Sequence, residues 1–248
     1  MREVRSDLHI HTLLSACAEV EMIPPLIVEE ALSKGLDLIA VTDHNTIGNA
    51  RSVIQAAEKT DLTVLPGMEL QTREEVELLC LFDTVDQAEV WQTRVDGWLL
   101  PLENDPERFG PQYLVDHDGD FIAEEPRLLQ APTSVGLEEA VRQVRALGGL
   151  AILAHIDRSY HGLMPVLGIW PEDLAADAAE VSSNLRPSEA RRRFASLPAD
   201  LPLVSFSDAH WLAWMAKVIT IFKLSGAPTI AELRAALRGT DGRSTTVP

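Results

Sequence analysis

His9 and His11 stand one residue apart in the stretch Asp7-Leu8-His9-Ile10-His11-Thr12. The preceding Glu3-Val4-Arg5-Ser6 makes this stretch the end of a first strand, and alternate side chains of a strand share a face, so both imidazoles aim at one point. The pattern of an apolar run that ends in a donor recurs down the chain. Residues 36–41 lead into Thr42-Asp43-His44-Asn45, and residues 62–65 into Pro66-Gly67-Met68-Glu69. Residues 150–154 lead into His155-Ile156-Asp157-Arg158, and residues 201–206 into Ser207-Asp208-Ala209-His210, where Asp208 and His210 repeat the spacing of the first pair. Imidazole and carboxylate together suit Zn, Mn, Fe or Ni better than Ca or Mg. His9, His11, His44, Glu69, His155, Asp208 and His210 exceed what one tetrahedral ion needs. Two or three divalent ions are therefore expected, with Glu69 as the bridging carboxylate.

The elements that must position these donors follow from hydrophobic periodicity. Helices are expected over 24–34, opened by Pro24 and Pro25 and stopped by Gly35, and over 46–59, 86–100, 135–147, 187–197 and 229–238. Strands are expected at 36–41, 62–65, 76–82, 150–154, 178–182, 201–206 and 218–224. Alternation of the two argues for a parallel sheet with helices outside. No Gly-rich phosphate loop follows the first strand, which disfavours a dinucleotide fold, and about seven β-α units favour a barrel. In such barrels the site lies at the C-terminal ends of the strands, where five of the seven histidines fall; His117 and His161 lie in turns or loops. Prolines 101, 106, 111, 126 and 132 break the rhythm, and residues 113–123 read as a hairpin about an Asp-Gly turn. Residues 101–135 are expected as an insertion on a single domain spanning 1–248.

Twenty-one basic against thirty-eight acidic residues leave a net charge of −17. That charge opposes binding to DNA or RNA, whose affinity rests on Lys and Arg, so a nucleic-acid chain is not the expected partner. A small anionic substrate stays compatible, because bound ions invert the local charge. Cys17 and Cys80 are expected as free thiols. No apolar run reaches the ~18 residues of a membrane helix, and Met-Arg-Glu leads directly into a strand; a cytoplasmic location is expected.

Taken in order, HIHT, TDHN, GMEL, AHID and SDAH resemble the motifs of the PHP (polymerase and histidinol phosphatase) superfamily, over about residues 6 to 212. The resemblance implies an α/β fold, a distorted seven-stranded (β/α) barrel, holding two or three ions of Zn, Mn or Fe, and phosphoesterase chemistry. The chain departs from the family pattern in three places. Where relatives have HTxxSDG with the Asp as a ligand, Ser15 is followed by Ala16 and Cys17. Counting back five residues from Pro24 reaches Glu19, which is the expected replacement ligand; Cys17 and Glu21 are alternatives, and the plain reading of both glutamates is as loop acids. Where relatives have VHxLG, Val76-Glu77-Leu78-Leu79 stands, and Glu77 either replaces the histidine or faces solvent. A further ligand or supporting group is implied near residues 180–184, but no His or Cys stands there.

Arg158, three residues after His155, is expected to clamp a phosphate with its planar fork, with Tyr160 and His161 in the same loop. Asp43 is expected to hold an imidazole or a metal-bound water from behind, and Asp7 to be structural. The five tryptophans read as packing, although Trp211 follows a donor and could wall the pocket. The expected function is metal-dependent hydrolysis of a small phosphate ester, a nucleotide or sugar phosphate, through in-line attack on phosphorus by hydroxide held on the ions. Asp208, His155, His210 and Arg158 carry the catalytic expectation, His210 or His155 assisting the leaving group. No GxSxG or Cys/His nucleophile is present. The alternatives are a histidinol-phosphate phosphatase, an exonuclease-like phosphodiesterase, and a non-catalytic metal-bound sensing or structural domain.

Overall fold

In chain order the computed structural model, which describes residues 1–248, runs β1 (Arg2–Ile10), α1 (Pro24–Ser33), β2 (Leu38–Val41), α2 (Ala50–Ala57), β3 (Thr63–Gln71), β4 (Glu77–Leu81) and α3 (Val85–Asp96). Then come α4 (Pro106–Phe109), β5 (Tyr113–Val115), β6 (Phe121–Glu124), α5 (Leu137–Ala146), β7 (Leu150–Leu153), α6 (Leu163–Leu167) and β8 (Ala178–Glu180). The chain ends with α7 (Pro187–Arg193), β9 (Leu203–Val204), β10 (Thr220–Leu224), α8 (Ile230–Leu237) and β11 (Ser244–Thr246). Helix boundaries follow local chemistry. Prolines open α1, Gly35 at φ +66° turns the chain out of it, and Thr84 with Gln87 forms a capping box on α3. The helix expected over 46–59 begins only at Ala50. The residues before it form turns, and Asn45, in the left-handed region at φ +51°, spends its side chain on the carbonyls of Leu129 and Ala131.

Nine strands form one barrel-like sheet in the order β11-β10-β1-β2-β3-β4-β7-β8-β9. The count of seven is thereby corrected: β10 adds antiparallel to the free edge of β1, and β11 adds to β10. The sheet is also not wholly parallel. β4 runs antiparallel to both β3 and β7, because residues 72–76 make a tight return where a parallel pair would need a helical crossover. The chain beyond β9 comes back to β1, where Ile10 pairs with Ala209; the Ala209 N–H donates to His9 O at 3.1 Å and the His11 N–H to Ala209 O at 3.0 Å. The sheet is thus nearly closed on itself.

Alternation sorts the side chains. Leu8, Leu38, Leu65, Leu79, Ile152 and Val204 fill the interior, which α8 plugs with Ile230, Leu233 and Leu237 beside Val4 from the start of β1. The opposite face of each strand packs under the outer helices, including the Ala140, Val141 and Val144 stripe of α5. The hairpin β5–β6 stands apart as a two-stranded sheet laid on α2, with Ser52 donating to Val115 O at 2.7 Å and Asn49 to Tyr113 O at 3.0 Å. No helix is long and apolar enough to cross a membrane.

Candidate metal centre

The two histidines of β1 face inward because of a bulge. Ser6 pairs with Leu38 and Asp7 with Ile39, but the next pair is Ile10 with Val41, so β1 carries one extra residue. Val4 and Leu8 point into the barrel, and strict alternation would send Ile10 after them. Ile10 instead joins the outer core, and His9 and His11 turn inward, the re-aiming that a bulge performs. Glu69 shares the inner face with Leu65 on β3. Glu77 opens β4, so the antiparallel direction of that strand places it at the same pole, with the pair Glu69–Leu79 next to Gln71–Glu77. His155 and Asp208 both take positive φ, +24° and +51°. Such backbone costs roughly 1–3 kcal/mol in a residue with a Cβ, and here it turns each donor over the strand ends.

Glu69 lies at the centre. Its Oε1 is 3.2 Å from His9 Nε2 and 3.0 Å from His155 Nε2, and its Oε2 is 3.3 Å from His11 Nε2 and 3.2 Å from His44 Nδ1. Asp208 Oδ1 is 3.2 Å from both His9 Nε2 and His11 Nε2. Glu77 Oε2 approaches His155 Nε2 at 3.2 Å. Donor atoms within 4.8 Å of one another form three overlapping groups: His9, His11, Glu69 and Asp208; His44, Glu69 and Glu77; His11, His44 and His210. The Nε2 atoms of His9 and His11 and both carboxylate oxygens of Asp208 are buried without a well-formed hydrogen bond. Buried polar atoms are rarely left so, and lone pairs converging in this way fit divalent cations.

A second ring of polar groups orients the first. Glu180 Oε2 accepts from His9 Nδ1 and from the His155 N–H, each at 3.0 Å. His11 Nδ1 is 2.9 Å from Ser15 Oγ, which donates to Asp43 Oδ1 at 2.7 Å. Asp43 therefore reaches an imidazole only through Ser15. Protons on Nδ1 leave both Nε2 lone pairs facing the cluster. Glu180→Ala is expected to weaken metal affinity about 10- to 100-fold, read by titrating ions into the chelated chain, and Glu180→Gln, which keeps an acceptor, is expected to retain most of it. Equal affinity in both variants and the wild type would remove Glu180 from this role.

Electrostatics divide the imidazoles. Burial works against charging all of them. The Glu69, Glu180 and Asp208 charges nevertheless raise His9 well above the ordinary range, the facing Asp208 and Glu69 carboxylates raise His11 to about 9, and those of Glu69 and Glu77 raise His155 to about 10. Burial and the neighbouring His11 charge push His44 and His210 down to about 4. Despite their own burial, Glu69 and Asp208 are held below the usual carboxylate range by the facing histidines.

The centre opens into a cleft of about 520 Å³ lined among others by Cys17, Gln71, Gln130, Arg158, His161, Trp211 and Trp214. Arg158 Nη2 sits 2.6 Å from Asp208 Oδ2. Cys17 Sγ lies 3.4 Å from His44 Nε2, and Tyr160 is exposed and does not line the cleft. Glu19 does not enter any donor group. It is exposed and accepts from Trp211 Nε1 at 2.9 Å, because the loop after His11 turns back through Ser15 and Ala18 and carries it outside the pole. Glu77, expected either to replace a family histidine or to face solvent, is buried and faces the donors. Glu180 lies in the stretch 180–184 where the resemblance implies a further ligand or supporting group and where no His or Cys stands; the carboxylate supplies the supporting contact. Its signal was the one that exposed Glu69, a carboxylate ending a buried strand.

The PHP domain family model matches residues 7–164. The chain belongs to the PHP domain family. Its members are metal-dependent hydrolases, and the His, Asp and Glu groups above are of the kind they use. Among known proteins, an uncharacterized protein of Methanocaldococcus jannaschii, MJ1587, is 24% identical over 186 residues, covering 72% of this chain and 81% of that one. Among solved structures, the lesion-specific endonuclease PfuEndoQ of Pyrococcus furiosus superposes with a TM-score of 0.72 at 19% identity, over 98% of this chain. This PHP chain spans 58% of the length of that endonuclease. An Endonuclease Q complex with a 27-mer duplex bearing an abasic lesion at the active site superposes with a TM-score of 0.69. A metal-dependent phosphoesterase assignment from Bifidobacterium adolescentis superposes at 0.54 and 20% identity, over 83% of this chain and 87% of that one.

These likenesses overturn the expectation of a small phosphorylated substrate with nucleic acid set aside. Proteins of this fold, matched along almost the whole chain, include an endonuclease seen with duplex DNA. A net charge of −17 is a sum over the whole surface, whereas binding at one pole responds to the few charges close to it.

Proposed function

We propose that this PHP chain is a metal-dependent phosphoesterase acting on phosphodiester bonds of nucleic acid. The observation that carries the reading is the convergence of His9, His11, Glu69 and Asp208 donor atoms within 4.8 Å, in a cleft that Arg158 also lines. The likeness in fold to Endonuclease Q supports the substrate class. In this reading His9, His11, His44, Glu69, Glu77, His155, Asp208 and His210 would hold two or three ions of Zn, Mn or Fe. Such ions supply Lewis acidity toward phosphoryl oxygens and lower the pKa of water.

The chain's own groups do the rest. Arg158, fixed by Asp208, offers the remaining donors of its guanidinium to a phosphate oxygen. His155, with Nε2 between Glu69 and Glu77, and His210, grouped with His11 and His44, are both ligands in this reading, which leaves Arg158 as the charged group of the cleft to face a phosphate. The test is cleavage of end-labelled single-stranded and duplex oligonucleotides, intact and with an abasic site, by the chelated chain with Mn²⁺ or Zn²⁺ restored. Cleavage is expected only with ions. Cleavage that survives both EDTA and His9→Ala would overturn the metal chemistry, and turnover confined to phosphomonoesters would overturn the nucleic-acid assignment.

A further inference from the structure

We infer that Trp211 and Trp214 form a stacking wall that receives a nucleobase beside the candidate metal centre; the inference rests on the nucleic-acid reading above. Both indoles line the cleft that holds His44, Glu69, Asp208 and Arg158. Their ring centroids are 4.2 Å apart, and Trp214 is 44% exposed. Of the other tryptophans, Trp91 is fully buried, Trp170 nearly so and Trp98 half-buried. A pair of tryptophans at the mouth of a polar cleft adds nothing to the core.

The wall is also held rigid. Trp211 Nε1 donates to Glu19 Oε1 at 2.9 Å, and the Glu19 N–H donates to His210 O at 3.0 Å. The short 3₁₀ turn Leu212–Trp214 is gripped from outside by Lys34, whose Nζ donates to the carbonyls of Leu212, Ala213 and Met215 at 3.2, 3.1 and 2.7 Å. Behind it, the Ala216 N–H donates to Asp7 Oδ2 at 2.8 Å. Glu19, placed where relatives supply a metal ligand, thus braces an indole. A surface fixed before binding loses little freedom on binding. Charge selects the occupant. Lys217 Nζ lies over the Trp214 ring, 5.4 Å from its centroid, and Arg158 lines the same cleft, so both supply positive charge near the indoles for the phosphates of a bound strand. Aromatic faces accept any base, and this is how sequence-tolerant single-strand sites are built.

The test compares an end-labelled thymidine decamer with a decamer of the same backbone built of base-free tetrahydrofuran residues. The wild type is expected to prefer the thymidine strand in kcat/KM, and Trp214→Ala to lower that preference about tenfold, chiefly through KM, with Trp214→Phe keeping most of it. An equal preference in the wild type and Trp214→Ala would overturn the wall while hydrolysis stands. Should the wild type cleave neither strand, the functional reading fails, and thymidine alone then decides the wall. Saturable quenching of tryptophan emission in the metal-free chain, weakened in the Trp211→Phe, Trp214→Phe double variant, supports it; quenching that rises without saturation overturns it.

Discussion

Glu69→Gln is expected to remove bound metal and to reduce metal-dependent hydrolysis by more than the roughly 100-fold that losing an outer partner costs. Each oxygen of Glu69 faces two imidazoles: His9 and His155 on one side, His11 and His44 on the other. An amide of the same shape keeps one oxygen, turns the other position into a donor, and deletes the charge that two groups of donors share. No neighbour can take its place, since Glu77 reaches only His44 and His155, and Asp208 only His9, His11 and His210. Metal content by elemental analysis and kcat/KM on an oligonucleotide measure the effect. Full metal content at the wild-type rate would take Glu69 out of the centre. A circular-dichroism spectrum matching the chelated wild type shows that the loss is of ions and not of the fold.

The second large effect is thermal. A ligand at a hundredfold excess over its Kd stabilises by about 2.7 kcal/mol, which in a chain of this size moves Tm by about 5–10 °C. Mn²⁺ or Zn²⁺ is expected to produce such a rise over the chelated chain. Its pH dependence follows from the imidazoles. Against their burial, the facing acids raise His11 to about 9 and His155 to about 10. In the metal-free chain their pairing with Glu69, Asp208 and Glu77 stabilises fully below about 6.5, the unfolded value, and is lost as pH rises through 9 to 10. Ions take the same places only by expelling those protons. The gain in Tm is therefore expected to shrink below pH 6.5 and to grow toward pH 9. Scanning calorimetry across that range checks it, and a gain independent of pH would mean that the ions bind elsewhere.

Much of the candidate centre was legible before any coordinates. His9, His11, His44, Glu69, His155, Asp208 and His210 announce themselves because each ends an apolar run, and a polar group there must emerge at a strand end. Glu19 was misplaced because counting residues from Pro24 measures chain length, not path: the loop bends through hydrogen bonds of Ser15 with Ala18 and of Glu19 with His210. Glu77 was ambiguous because an acid on an alternating strand has a solvent-facing reading until the direction of that strand is known. The substrate class misled for a different reason. Net charge is a global sum, and binding at a pole responds to a few local charges.

The sequence by itself determined the kinds of donor, their order, the family and the barrel-like α/β fold, since these rest on residue types and on periodicity within short windows. Only the tertiary structure decided which way they point. The extra residue in β1, the reversed course of β4, and Glu180 behind His9 all depend on pairing between segments far apart in the chain, and strand register, which assigns every side chain to one face or the other, exists only once those segments meet.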